Sequence, residues 1–370
     1  MNSGAISDLT DQDQNDSLVL PANWRPRTAG PALSIFAVDV AVVLIFSLLS
    51  GFVFLAPQSL SNIALDGSES VLLCIGSAFL LGAGEIDISI GANVILSSVV
   101  GGKTMAALGS PLTASLIGAC ACILCGAAVG AFNALVVIRL RVTSFITTLA
   151  SLGIVTGIAY VLTNGYNVSN VPLGLQSDFG VAKLGDLLPY PALIALAFAL
   201  AAWFVLSHTR FGLHTLALGS SREAAVRAGI DVHSRLMALF MLAGGAAGVS
   251  GFIDLSRYAS TNLSGHQTDA LAAIAGAVIG GTNLFGGRIS IGGAVFGALL
   301  AVILQDGLVV VGLAAFYQLI AVGIVLIAAV SVREFAQSGD STVPFSSRLM
   351  ALLYGHAPTK AHAPVGNWRV

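Results

Sequence analysis

The feature that most constrains this chain is a succession of apolar stretches, recurring from Pro31 to Val332, many of them long enough to cross a lipid bilayer. About 20 apolar residues cover the hydrocarbon core as a helix. A backbone in lipid has no water to bond, so each crossing segment must satisfy its own N–H and C=O groups. The fold class that follows is an all-α integral membrane protein, a polytopic bundle of transmembrane helices. Charge usage agrees: 9% of the 370 residues are Asp, Glu, Lys or Arg, against about 25% in soluble domains. A net charge of −2 gives nucleic acid nothing to bind.

Ten spans are expected: 31–56, 71–84, 88–108, 111–138, 144–162, 190–206, 236–253, 271–281, 289–304 and 308–332. Two of them, near 71–84 and 271–281, are short and interrupted by glycine. Such pairs in the two halves of a carrier mark broken helices around a substrate path. With an N-in, C-in arrangement, thirteen of the sixteen Lys and Arg face the cytoplasm, and only Lys103, Lys183 and Arg257 lie outside. That is the expected bias; omitting both short spans preserves it, which keeps eight spans open. Residues 1–30 carry Asp8, Asp11, Asp13 and Asp16 without an apolar core, so they are no signal peptide and are expected to form a disordered cytoplasmic tail. The membrane domain is expected over 31–332, and 333–370 is expected to be a second cytoplasmic tail.

One loop stands apart. The segment 209–235 carries Arg222, Glu223 and Arg227, with Ala224, Ala225 and Gly229 completing an E-A-A-x-x-x-G pattern. Ala and Glu favour helix and Gly tends to end one. A short helix outside the bilayer, offering small residues to a partner, is the physical reading.

Other motifs carry competing readings. Asp87 and Ser89 either cap the helix that begins near Ile88 or line a translocation path, as intramembrane carboxylates often do. Asn93, Asn133, Asp269 and Gln305 are further path candidates, since amides and carboxylates exchange hydrogen bonds with sugar hydroxyls; equally, amides bind neighbouring helices. Asp39 is expected to reach the membrane interface. Gly101-Gly102-Lys103-Thr104 resembles the end of a phosphate-binding loop, but Ser97 occupies the place of its first glycine. No ATP hydrolysis, bound cofactor or metal is expected of this chain. Cys120, Cys122 and Cys125 form C-x-C-x-x-C in an apolar run and are read as small packing residues. No histidine is expected mid-span beside a carboxylate, which disfavours proton coupling. Four G-x-x-x-G pairs, Gly126/Gly130, Gly244/Gly248, Gly276/Gly280 and Gly293/Gly297, are expected at close helix contacts within the bundle or between subunits. Ile88-Ser89-Ile90-Gly91 recurs as 289–292, consistent with either chance or an internal repeat.

Three blocks resemble the ribose-type permeases of bacterial ABC importers. They are Gly84-Glu85-Ile86-Asp87-Ile88-Ser89-Ile90-Gly91; Thr209–Gly212 with Ala217–Gly219 and Glu223–Ile230; and Asp269–Ile274 through Gly280–Arg288. Their order and spacing match over roughly residues 31–332. One departure is Glu85, which takes the place of the second glycine in the family's G-G-I-D. The resemblance implies a homodimeric, multi-pass permease of the bacterial inner membrane. It implies a separate cytoplasmic ABC ATPase, which uses ATP and Mg²⁺, and a periplasmic sugar-binding protein. It makes the Glu223 segment the coupling helix. The expected cargo is a pentose-like sugar or related small polyol; the alternative is a self-contained ion- or proton-coupled carrier, with Asp87 and Asp269 as its ion site.

Overall fold

The computed structural model describes residues 29–109, 111–185 and 188–314, with 317, 320, 323, 324 and 327. Its helices are α1 (Ala29–Leu49), α2 (Pro57–Gly82), α3 (Ile90–Leu108), α4 (Pro111–Leu140), α5 (Ser144–Thr163), a single turn α6 (Leu173–Leu175), α7 (Tyr190–His208), α8 (Arg210–Ser220), α9 (Arg222–Arg227), α10 (Val232–Tyr258), α11 (Asp269–Ile279) and α12 (Ile291–Val310). Two-residue strands, β1 (Lys183–Leu184) and β2 (Leu188–Pro189), pair antiparallel in the α5–α7 connection. Among the described residues, eight helices are long and apolar enough to cross a membrane. The protein is therefore an all-α, multi-pass membrane protein.

α10 is the central helix and packs on α2, α3 and α4. α1, α5 and α7 lie outside and turn Leu, Phe and Ile side chains outward, as helices facing lipid do. The four glycine pairs form two seams inside one protomer. On α4 and α10, a Cβ at Gly126 would strike the Gly244 carbonyl and one at Gly248 the Cys122 carbonyl. On α11 and α12, Gly280 faces Gly293 and Gly276 faces Gly297 in the same way. Small residues let these backbones touch, so dispersion and packing replace the hydrophobic effect that lipid cannot supply. Cys122 packs buried beside Gly101, and all four cysteines are free.

The structure corrects three expectations and bears out a fourth. The short span at 71–84 is the C-terminal part of α2, a continuous helix of 26 residues. Its first half was obscured by Ser59, Ser61, Asn62, Asp66, Ser68 and Glu69, whose polarity interrupts the apolar run. At 271–281 the short helix is present, as the 11-residue α11. No break separates 304 from 308, because α12 runs through Gln305, Asp306 and Gly307 to Val310. Asp39 lies in the middle of α1 and is 5% exposed rather than interfacial. Most of the expected 308–332 span and both tails, 1–28 and 333–370, fall outside the described residues.

Charges sort to the two ends of the bundle. Lys103 donates to the Leu162 carbonyl at 2.5 Å, Lys183 to Gln58 at 3.2 Å, and Arg257 pairs with Asp66, all at the end where α2 begins. Arg141, Arg222 and Arg235 lie at the other end, where α2 finishes.

Candidate functional site

The charged loop folds as predicted from its own residues. Thr209 opens α8, its hydroxyl accepting from Gly212 N–H at 3.5 Å. Phe211 packs against Phe79 of α2 with ring centroids 6.3 Å apart and the rings tilted by 57°, and the Arg235 guanidinium lies over the Phe211 ring, 5.2 Å from its centroid. Ser221 then caps α9 by accepting from Ala224 N–H at 3.3 Å. At the far end Gly229 has φ +78°, Gly229 N–H bonds the Val226 carbonyl, and Ile230 N–H bonds the Ala225 carbonyl, both at 3.0 Å. This is a Schellman closure, which needs a left-handed residue that only glycine adopts without strain. A six-residue helix is thereby fixed at both ends by local chemistry.

Within α9, Ala225 is 2% exposed and joins the main core, while the Glu223 and Arg227 side chains are 88% and 72% exposed. Their i,i+4 separation of 3.8 Å contributes little in water. Asp231 caps α10 next, accepting from His233 and Ser234 N–H at 3.1 and 3.3 Å. The Ser234 hydroxyl bonded to it holds its carboxyl below the ordinary range.

Two corners support this helix from below. The first is Gly84–Ser89, between α2 and α3. Gly84 has φ +80°, and Gly84 and Glu85 N–H close α2 onto the Leu81 and Leu80 carbonyls at 2.8 and 2.9 Å. Ile86 and Ile88 donate to Ser144 and Thr148 of α5, each at 3.1 Å. Glu85 Oε1 lies 3.4 Å from the Arg222 guanidinium. Burial pushes the Glu85 carboxyl up, opposed by the Ser144 hydroxyl and then by Arg222. A cavity of about 470 Å³ opens here, lined by Glu85, Val137, Arg141, Ser144, Arg222 and His233 among others.

The second corner is Gly280–Ser290, between α11 and α12. Gly287 N–H bonds the Gly82 carbonyl at 2.9 Å. A Cβ on Gly219 would collide with that carbonyl, and one on Gly286 would press 2.5 Å from Gly219 O. Three backbones thus meet at the end of α8, next to α9. Asn283 holds the turn, donating to Gly286 O at 2.8 Å and accepting from Phe285 N–H at 3.2 Å. The turn presents Phe285 to solvent, 83% exposed.

The path candidates divide. Asp87, Ser89, Asn93 and Asn133 form a buried group, none above 3% exposed. Asp87 Oδ1 accepts from Ser89 N–H at 2.8 Å and from its hydroxyl at 2.6 Å; Asn133 donates to Ser89 Oγ at 2.9 Å, and Asn93 to the Gly126 carbonyl at 3.1 Å. Ser89 stands at the N-cap of α3, but its side chain bonds no helical N–H. The amides therefore tie α3 to α4, and Asp87 orders the approach to the helix instead of capping it. Asp269 lies elsewhere, paired with His266 Nδ1 at 2.7 Å. Gln305 is exposed on α12 and joins neither group. Asp87 and Asp269 thus belong to separate groups of side chains.

Sequence reading missed three features. Phe285 was hidden in a turn signature. The Glu85–Arg222 contact joins residues 137 apart. His266 sits between Asp254 and Asp269 with Glu69 beside it, although no histidine was expected beside intramembrane carboxylates. The spacing of His266 and Asp269, three residues, was the available signal.

Known proteins resemble this chain over most of its length. The sequence pattern described as "Branched-chain amino acid transport system / permease component" matches residues 59–330. The D-allose transport system permease protein AlsC of Escherichia coli K12 is 32% identical over 296 residues, 80% of this chain and 89% of that protein. The ribose import permease protein RbsC of Bacillus subtilis 168 is 32% identical over 325 residues, 87% of this chain and 97% of its own. The L-arabinose ABC transporter permease protein AraH of Azospirillum brasilense is 29% identical over 285 residues, 77% and 82% of the two chains. No solved structure matches the chain. With eight membrane-length helices, a family pattern across most of its length and relatives of nearly equal extent, the chain belongs to the branched-chain amino acid transport system permease family, alongside the ribose and allose permeases of ABC importers.

Proposed function

We propose that this chain is the membrane subunit of an ATP-driven importer for a pentose-like sugar or related small polyol, moved by a separate ATPase that docks on α9. The observation that carries this reading is the construction of α9. It is a short helix closed at both ends, buried through Ala225, exposed through Glu223 and Arg227, and bridged to the membrane core by Arg222 and Glu85. A helix of that kind moves as a unit when its outer face is pulled. Phe285, exposed on the neighbouring turn, adds an apolar contact to the same surface.

In this proposal the α9 end is cytoplasmic and the membrane is the bacterial inner membrane. Two copies of the chain offer two α9 helices to an ATPase dimer. ATP and Mg²⁺ act in that partner, and a periplasmic binding protein delivers sugar to the opposite face. Sugar as cargo is supported by the names of the relatives, which include allose, ribose and xylose permeases. Alternating access then requires the Asp87–Ser89–Asn133 group to open, since all of it is buried in this conformation.

The test is Glu223→Lys together with Gly229→Val, in cells making the whole transporter. Both are expected to insert normally, to lose co-purification with the ATPase and to lower sugar uptake tenfold or more, equal to roughly 1.4 kcal/mol of lost docking energy. Unchanged uptake and unchanged co-purification overturn the proposal.

A further inference from the structure

Deep in the bundle, three helical elements bring a concentration of charge together. Asp66 and Glu69 come from α2, Asp254 and Arg257 from α10, His266 from the connection to α11, and Asp269 from the start of α11. Arg257 pairs with Asp66 through both terminal guanidinium nitrogens, Nη1 and Nη2. That leaves Glu69, Asp254 and Asp269 around one imidazole.

The imidazole is held in a defined way. Its Nδ1 lies 2.7 Å from Asp269 Oδ2. A proton on Nδ1 donated to that carboxylate leaves the Nε2 lone pair free. Nε2 is directed toward Asp254, 3.4 Å from Oδ1, without hydrogen-bond alignment. Nε2 of His266, Oδ2 of Asp254 and Oε1 of Glu69 have no hydrogen-bond partner among the described residues. The Asp254 side chain is 3% exposed and that of His266 10%. One ligand atom from each of Glu69, Asp254 and His266 lies within 4.8 Å of the other two. His266 also holds a left-handed backbone at φ +61°, uncommon outside glycine. Its carbonyl lies against α3 at Gly91, where any Cβ would strike it.

Unpartnered polar atoms in a buried site carry a desolvation cost of roughly 1–3 kcal/mol each, more when charged. Three residues that each carry such an atom, and whose ligand atoms lie within 4.8 Å of one another, are explained by an ion between them. A histidine that donates its second nitrogen to a carboxylate is the usual arrangement of a metal-bound imidazole. One imidazole and two carboxylates suit zinc-like ions better than Mg²⁺ or Ca²⁺, which take oxygen ligands. We propose that Glu69, Asp254 and His266 bind a divalent transition-metal ion of the Zn²⁺ class, with Asp269 orienting the imidazole. The ion joins α2, α10 and the α10–α11 connection. The competing arrangement is a protonated His266 shared between Asp254 and Asp269, with no metal.

The experiment uses the full-length chain, purified in detergent, freed of tags and stripped by chelator. Zn²⁺ is titrated by calorimetry and counted by elemental analysis after dialysis. One Zn²⁺ per chain is expected, with a raised thermal midpoint. Asp269→Asn weakens binding about 10–100-fold, and His266→Gln abolishes both binding and the midpoint shift. Co²⁺ in the same site gives visible bands without a thiolate charge-transfer band, which separates this site from Cys120, Cys122 and Cys125. No stoichiometric Zn²⁺ on the wild-type chain overturns the proposal, as does a Co²⁺ spectrum of thiolate type or undiminished binding in His266→Gln. Should His266→Gln fail to fold, wild-type stoichiometry and the Co²⁺ spectrum still decide.

Discussion

The corner between α2 and α3 and the corner between α11 and α12 share the tetrapeptide Ile-Ser-Ile-Gly, yet the two serines do different work. Ser290 is a helix cap, its hydroxyl accepting from Gly293 N–H at 3.2 Å. Ser89 occupies the same place before α3 but donates to Asp87 and accepts from Asn133. Behind Ser290 lies contact between backbones, Gly280 on Gly293 and Gly287 on Gly82. Behind Ser89 lies a buried network of side chains. Both corners reach the α8–α9 segment, the first by the Glu85–Arg222 pair and the second through Gly219 and Ser220. One support is therefore close-packed and rigid. The other is polar, and its bonds are exchangeable. Identical local sequence does not decide which; the facing helix does.

The largest expected effect tests the rigid corner. Gly219→Val drives a side chain into the Gly82 carbonyl and is expected to cost about 3 kcal/mol or more, seen as loss of monodisperse protein in detergent. At the polar corner Gly84→Ala meets open space, with Phe285 O at 3.8 Å, and strains only its φ of +80°; about 1–2 kcal/mol is expected. Equal losses for the two variants would erase the contrast.

Next in size is Asn133→Leu, which leaves the buried Ser89 hydroxyl without the amide that donates to it. A loss of roughly 1–3 kcal/mol is expected, against about 1 kcal/mol for removing the cap in Ser290→Ala. Unfolding by graded denaturing detergent ranks the two, and the reverse order would contradict the network reading.

A smaller effect separates the corners by pH. Glu85 is raised above its ordinary 4.5, chiefly by burial. The folded protein then binds its proton more tightly than the unfolded chain, so stability declines as pH rises upward from 4.5. Glu85→Gln is expected to flatten that decline in a thermal melt, while Ser290→Ala leaves its slope unchanged. The smallest effect belongs to the Arg222–Glu85 pair itself. The Arg222 side chain is 54% exposed at 3.4 Å, so a double-mutant cycle should yield below about 1 kcal/mol of coupling in stability.

Helix positions were largely legible because lipid imposes a length and an apolar composition on each span. α3, α4, α5 and α7 lie within two or three residues of the expected bounds. α9 was legible for another reason: Ser221, Ala224, Ala225 and Gly229 satisfy one another within a single turn or two. What was not legible depended on distant partners. The first half of α2 is polar because Asp66 meets Arg257, 191 residues away, and because Glu69 approaches Asp254 and His266. Hydropathy counts those residues as loop. Asn93 and Asn133 announced polarity inside the membrane, but only the fold assigns one to the Gly126 carbonyl and the other to Ser89. The glycine pairs were visible as close contacts; which helix faced which was not.

In the proposed transporter α9 meets an ATPase from inside the cell, and labelling of Glu223→Cys tests this most directly. In a chain otherwise free of cysteine, a membrane-impermeant maleimide should leave intact cells unlabelled at position 223, label inverted vesicles, and be blocked when the ATPase is bound. Labelling from outside intact cells, or labelling indifferent to the ATPase, would contradict it.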